Sequence, residues 1–380
     1  VNQLLINYDA LLHNYLAIEG LMRQHRSQWT LVTKVLCGNR QVLKALAAMG
    51  MNSVGDSRLS NLKTIQKDVP DVTSWYLRVP SPSAIDQVAT LSDVSLNSEI
   101  TTIQALNDAA GRNQRKHQVV IMIELGDLRE GILPGSLINF YKSVFTLPHI
   151  EVLGVGANLG CLAGVVPNVD QLMQLVLYRE LLELKFNCKL PIISAGTSAA
   201  LPLLMEGKMP KGINHFRIGE ALFLGTNLVQ GGTLPSFRND VFLLDAEIAE
   251  LKEKSLQPSQ ETGGIEPFAT IQNTGDNQVG QRGYRALVGV GQLDVEISGL
   301  TPVNPEYTLA GASSDLTVVN LGDHDDGLKI GDSIQFRLDY AALLRLMNSR
   351  YIDKVPLRSV DDFCEEMGAC VQLQNGVAAL

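Results

Sequence analysis

Residues 29–34 read WTLVTK. Threonine, leucine and valine make a short β-type run suited to a buried strand, and it closes on Lys34, a residue seldom buried without a task or a partner. The same texture recurs in NSVGDS (52–57), SWYLRVP (74–80), DVSLNS (93–98), QVVIMIEL (118–125), EVLGVGANL (151–159), PIISAGTS (191–198) and HFRIGEA (215–221). Helix-type stretches fill the intervals. RQVLKALAAMG (40–50) and NVDQLMQLVLYRELLELKF (168–186) carry apolar residues three and four apart, and the first ends on a glycine that suits a helix cap. Eight strands alternating with helices predict a parallel sheet closed into a (β/α)8 barrel over residues 8–232.

Downstream the texture changes. DVFLLDAEIAEL (240–251), ATIQ (269–272), YRALVGVG (284–291), LDVEIS (293–298), TLAGASSDLTVVN (308–320) and GDSIQFRL (331–338) are short alternating runs separated by turns. They predict a smaller, mostly antiparallel β domain over residues 233–355, to which NQLLIN (2–7) is a candidate added strand. QPSQETGGIEP (257–267) reads as an exposed loop. Residues 356–380 read as a tail without assignable structure, a docked helix being its one candidate form.

Composition narrows the function. A net charge of -9 over 380 residues leaves no broad basic surface for nucleic acid. The five cysteines (Cys37, Cys161, Cys188, Cys364, Cys370) are odd in number and form no CxxC pair, which suits a reducing, cytoplasmic setting. The apolar runs are too short and interrupted to span a bilayer, and no signal-peptide pattern opens the sequence, so no membrane partner is expected.

Chemistry in a barrel of this kind gathers at the C-terminal ends of the strands. Lys34, Asp56, Arg78, Asn97, Glu124 with Arg129, Asn158, Ser194 to Ser198, and Arg217 with Glu220 all fall there. Strand ends are polar in any barrel, so single residues decide nothing; it is the fit of several types to one ligand that carries weight. SAGTS (194–198), at a strand-to-helix turn, offers small residues, backbone N–H groups and a helix N-terminus, which together can seat a phosphate.

Eight segments extend the pattern: INYDALLHNY (6–15), VTKVLCGN (32–39), ELGDLREGI (124–132), ANLGCLAG (157–164), SAGTSAALPLL (194–204), NHFRIGEALFLG (214–225), GASSDLTVVN (311–320) and FRLDYAALLRLMNSRYI (336–352). In this order the chain resembles the alanine racemase family of pyridoxal phosphate enzymes, and within it the branch that racemises ornithine and similar amino acids. The resemblance implies that Lys34 holds pyridoxal 5'-phosphate as a Schiff base and, once a substrate amine displaces it, serves as a base at the α-carbon. It implies a cofactor seat of Ser194, Gly196, Thr197, Ser198, Gly219, Glu220 and Tyr340, with Arg217 on the ring nitrogen and Arg129 near the phenolic oxygen and the substrate carboxylate. It also implies a homodimer whose active sites are shared between subunits, acting on a small amino acid without a metal.

The pattern departs from the alanine branch in several places. Asn158 stands where that branch has a histidine over the cofactor, and Met122 where it has a carbamylated lysine. In VGVGQLDV (288–295), Gln292 replaces the tyrosine that serves as second base, and glutamine is no base. Cys37, Cys161, Tyr284, Asp294 and Asp315 are the alternatives, and the sequence does not choose among them. Cys37 and Gly38 replace a bulkier segment and leave room for a longer side chain, while Asp294, Asp315 or Glu99 can bind a distal ammonium, so ornithine or lysine is the expected substrate. The alternatives are an alanine or broad-specificity racemase, a D-amino acid lyase or aldolase with His324 as its sole visible metal ligand, and a non-catalytic cofactor carrier.

Overall fold

The computed structural model describes residues 1–160, 162, 164–257 and 280–377. The expected strand ATIQ, nearly all of the expected loop 257–267, and Cys161 lie outside them. The chain divides into two compact units: Leu12–Phe237 with Val360–Leu380, and Val1–Leu11 with Arg238–Ser359.

After β1 (Gln3–Ile6), eight strands form the first unit's closed barrel: β2 (Gln28–Val32), β3 (Ser53–Asp56), β4 (Thr73–Tyr76), β5 (Val94–Asn97), β6 (His117–Met122), β7 (Ile150–Gly156), β8 (Ile192–Thr197) and β9 (His215–Ile218). Each pairs in parallel with the next, and β9 returns to β2 with Thr30 opposite Arg217. The predicted (β/α)8 barrel is therefore present.

Around it lie α1 (Tyr8–His25), α2 (Arg40–Ala48), α3 (Leu59–Asp68), α4 (Ile85–Leu91), α5 (Ile100–Arg112), α6 (Leu137–Val144), α7 (Val169–Phe186), α8 (Leu201–Met205) and α9 (Glu220–Leu224). Local chemistry sets their ends. Asn39 and Asn168 cap α2 and α7 by accepting from the amides of Val42 and Gln171 at 3.0 and 2.9 Å. Gly50 follows α2 with φ of +98°, as expected of a residue after a helix end.

In the second unit the strands β10 (Phe242–Ser255), β11 (Arg282–Val288), β12 (Leu300–Pro302), β13 (Thr308–Ala312), β14 (Thr317–Gly322) and β15 (Ser333–Leu338) run in the order β12-β15-β10-β11-β14-β13, all antiparallel. β1 lies beside β10, antiparallel, and beside β16 (Asp353–Pro356), parallel. Helix α10 (Tyr340–Asn348) is capped by Asp339, which accepts from the amide of Ala342 at 2.8 Å.

Two local expectations change. LDVEIS is not a strand: the amides of Asp294 and Val295 turn back to the carbonyl of Gly291 at 3.0 and 3.1 Å, and Ile297–Gly299 is a 3-10 turn, so its alternation serves a corner and not a ladder. The tail holds α11 (Val360–Val377), which lies against α2 with Phe363 fully buried and Asp361 paired with Lys44 at 2.5 Å.

Candidate active site

Lys34 opens a short 3-10 turn just beyond β2, and that turn closes at Cys37, whose φ of 51° is left-handed. The preceding residue anchors the turn. Thr33 is buried, its amide donating to the carbonyl of Gly55 and its hydroxyl to Asp56 Oδ2, both at 2.9 Å. Asp56 also accepts from the Arg58 amide at 2.9 Å and from Asn61 Nδ2 at 3.1 and 3.2 Å. Burial raises its carboxyl pKa against the lowering effect of those bonds. Asp56 is thus a fastening for the lysine turn, while Lys34 itself is exposed in the single chain.

One strand over, Arg217 is 7% exposed and held from four directions. One terminal nitrogen donates to the carbonyl and hydroxyl oxygens of Ser194 at 2.6 and 2.5 Å; the other donates to the Ala157 carbonyl at 3.0 Å and to Asn158 Oδ1 at 2.6 Å. A guanidinium so clamped is fixed in direction before any ligand arrives.

Beneath Arg217 runs a buried ladder. Ser194 Oγ lies 2.8 Å from Nδ1 of His215, Nε2 of His215 lies 3.0 Å from Thr30 Oγ1, and Thr30 Oγ1 lies 2.8 Å from Ser53 Oγ. Because Arg217 can only donate, the Ser194 hydroxyl hydrogen is available to Nδ1, which puts the ring proton of His215 on Nε2, facing Thr30. Burial first, and then the charge of Arg217, lower the His215 pKa to about 3. The ring stacks on Trp75 with centroids 4.5 Å apart.

To the side, Asn158 turns its other end to Glu130: Nδ2 donates to Oε1 of Glu130. The same carboxylate takes Nε and, at 2.7 Å, NH2 of Arg129. Glu124, at the end of β6, folds this loop by accepting from the amides of Gly126, Leu128 and Arg129. Arg217, Asn158, Glu130 and Arg129 therefore form one chain of contacts.

The strand-to-helix corners after β8 and β9 complete the barrel's share of the predicted set. The hydroxyl of Ser198 accepts from the amide of Ala221 at 3.2 Å, tying the two corners together. Thr197 Oγ1 is buried, and among the described residues it has no hydrogen-bond partner. Gly196 and Gly219 owe their identity to packing: a Cβ on Gly196 would overlap the Phe216 ring, and one on Gly219 would stand 2.8 Å from the Val32 carbonyl oxygen. Glu220 opens α9. Asn97, by contrast, faces the buried Ser95 and His117 pair, its Nδ2 donating to Ser95 Oγ at 2.9 Å.

Arg78 follows β4 and Glu99 is the N-cap residue of α5, both in the first unit, and the other predicted residues lie in the second. Gln292 and Leu293 donate their amides to the carbonyls of Ser313 and Ser314, each at 3.0 Å, so Asp294 and Asp315 share one corner of this unit. Tyr284 is on β11, and Tyr340 is the first residue of α10. His215 and Glu130 escaped the sequence reading. Period-two spacing to Arg217 was a usable signal for His215, and an acid next to Arg129 in a folded loop was a weaker one for Glu130.

Residues 6–227 match the family model described as alanine racemase, N-terminal domain. The chain is 36% identical over 350 residues, 92% of its own length and 98% of the relative's, to ornithine racemase of Acetoanaerobium sticklandii. It is 29% identical over 356 residues, 93% and 98% of the two lengths, to lysine racemase of Thermotoga maritima. Among solved structures, alanine racemase of Clostridium difficile 630 aligns with a TM-score of 0.69 at 18% identity, over 94% of this chain and 95% of that one. Alanine racemase of Bartonella henselae with covalently bound pyridoxal phosphate aligns at 0.68 and 14%, over 94% and 99%. At these identities the structures speak for the fold.

Proposed function

The chain belongs to the alanine racemase family, and from that premise we propose that it is a pyridoxal 5'-phosphate-dependent racemase of basic amino acids, ornithine first and lysine next. We place it in the cytoplasm as a homodimer. The observation that carries the reading is the pairing of β2 with β9, which sets the turn bearing Lys34 beside the strand bearing the clamped Arg217. An amine and a fixed guanidinium at neighbouring strand ends are the two groups this cofactor chemistry requires.

The residues fit the cofactor. A buried hydroxyl without a partner is uncommon, and Thr197 Oγ1 lies beside the opening N–H groups of the Ser198–Ala200 turn, a donor set suited to phosphate oxygens. Lys34 would hold the aldehyde carbon and Arg217 the ring nitrogen. When bound, the cofactor supplies a sink for the electrons left on the substrate α-carbon. Lys34 removes or returns the proton on one face of that carbon. Arg217 keeps its own proton, so a ring nitrogen held by it would stay without one, which would weaken the sink and favour return of the proton to carbon over transamination. Asp294 and Asp315, which share one corner of the second unit, are the carboxylates we assign to the distal ammonium.

The deciding experiment incubates a panel of L-amino acids with the holoenzyme in heavy water and follows deuterium uptake and loss of optical rotation together. Ornithine or lysine should lead alanine by about one to two decades, the gain of a charge-assisted contact. Deuterium uptake without loss of rotation would leave a base on one face only and end the racemase reading; preference for alanine would end the substrate assignment alone.

A further inference from the structure

We infer that Glu130 is a positioning residue of this site, the carboxylate that sets the direction of Asn158 and through it of Arg217, while neutralising Arg129. The inference rests on the racemase reading above. Asn158 accepts from Arg217 with Oδ1 and donates to Glu130 with Nδ2. Reversing that amide would put an NH2 group against a guanidinium and an oxygen against a carboxylate, so Glu130 and Arg217 together fix its orientation. A carboxylate on the donor side also polarises the amide and makes its oxygen a stronger acceptor for Arg217. The four-residue chain converges on Glu130, which accepts from Arg129 on one side and from Asn158 on the other, while Asn158 accepts from Arg217; without Glu130 the amide is held from the arginine side alone.

The charge balance points the same way. Glu130 is largely buried, with its side chain 14% exposed, and its neighbours are cationic: Arg129 directly and Arg217 through Asn158. The loop's other carboxylates are turned elsewhere, Glu124 to the backbone amides of Gly126, Leu128 and Arg129, and Asp127 to the amide of Leu162. Glu130 is thus the acid placed to offset two arginines at the mouth of the barrel, and its loss raises the positive potential there.

The test compares wild type, Glu130→Gln and Glu130→Asp as holoenzymes. In Glu130→Gln the visible cofactor band should titrate at a pH about one unit lower, because a nearby negative charge that favours the protonated form is gone. Its kcat for ornithine should fall at least tenfold, with KM changing less, since the Asn158 contact and the charge balance at Arg217 are lost while the substrate's distal contacts persist. Glu130→Asp keeps the charge and should restore most of the titration shift. Wild-type titration and kinetics in Glu130→Gln would overturn the proposal alone. A wild-type protein that forms no band with pyridoxal phosphate would overturn the racemase reading and this proposal with it.

Discussion

His215 carries no charge at neutral pH, because burial and the neighbouring Arg217 press its pKa down to about 3; His117, buried and near Arg115, is lowered to about 4. Both stand below the ordinary value of about 6.5, so as pH falls through that value the unfolded chain takes up protons that the folded chain refuses. Stability is therefore full above about pH 6.5 and is lost as pH falls towards the folded values, at a slope of up to about 1.4 kcal/mol per unit for each histidine. Asp56 works in the opposite sense, since its raised pKa means that the folded form binds the proton more readily. Urea unfolding at pH 7 and pH 5 should show the loss in wild type and a shallower loss in His215→Gln; equal slopes would mean that His215 is not buried neutral. The sequence held half of this. HFRIG displayed His215 and Arg217 on one face of a strand, but the link through Ser194 depends on the register of β8 against β9, which no local pattern encodes. Glu130 was hidden for a different reason: an acid next to an arginine in a loop looks like any exposed pair until the loop is folded by Glu124.

At the scale of elements, the end of β2 and the corner after β9 share a tight backbone approach. A methyl on Gly219 would stand 2.8 Å from the carbonyl oxygen of Val32, two residues before Lys34. Gly219→Ala should therefore cost about 1–3 kcal/mol by overpacking and loosen the lysine turn with it, read as lower urea stability and faster cofactor loss on dialysis. Thr197→Val separates the two effects. It should leave stability unchanged or higher, because a buried unpaired hydroxyl is removed, while raising the dissociation constant for pyridoxal phosphate about tenfold, one hydrogen bond's worth. Unchanged cofactor affinity would remove Thr197 from the phosphate seat. The barrel's elements were legible because strands and helices there alternate in long, consistent patterns. The second unit was less so: LDVEIS has strand alternation, yet its backbone folds into a corner where Gly291 passes close to Ser314 and Gly299 close to Asp339, and β12 and β16 are too short to show a period.

For the whole molecule, the homodimer we propose makes a sharp expectation. Lys34→Ala, expected to be inactive, and Asp315→Ala, expected to be impaired for ornithine, should together exceed the activity of either when their subunits exchange; no gain with exchange confirmed by mass spectrometry would mean that each site is built within one chain. A second consequence concerns the order in which the ribosome delivers the parts. β1 is made before the eight barrel strands, yet it sits between β10 and β16, both made after them. α2 likewise waits for α11. A nascent chain halted before Asp353 already holds the eight barrel strands, but Leu4 and Ile6, fully buried in the finished protein, lack one of their two flanking strands. Synthesis should thus pass through a stage in which the barrel resists protease while Gln3–Ile6 remain open to it, and the second unit should close only once Asp353–Pro356 have emerged.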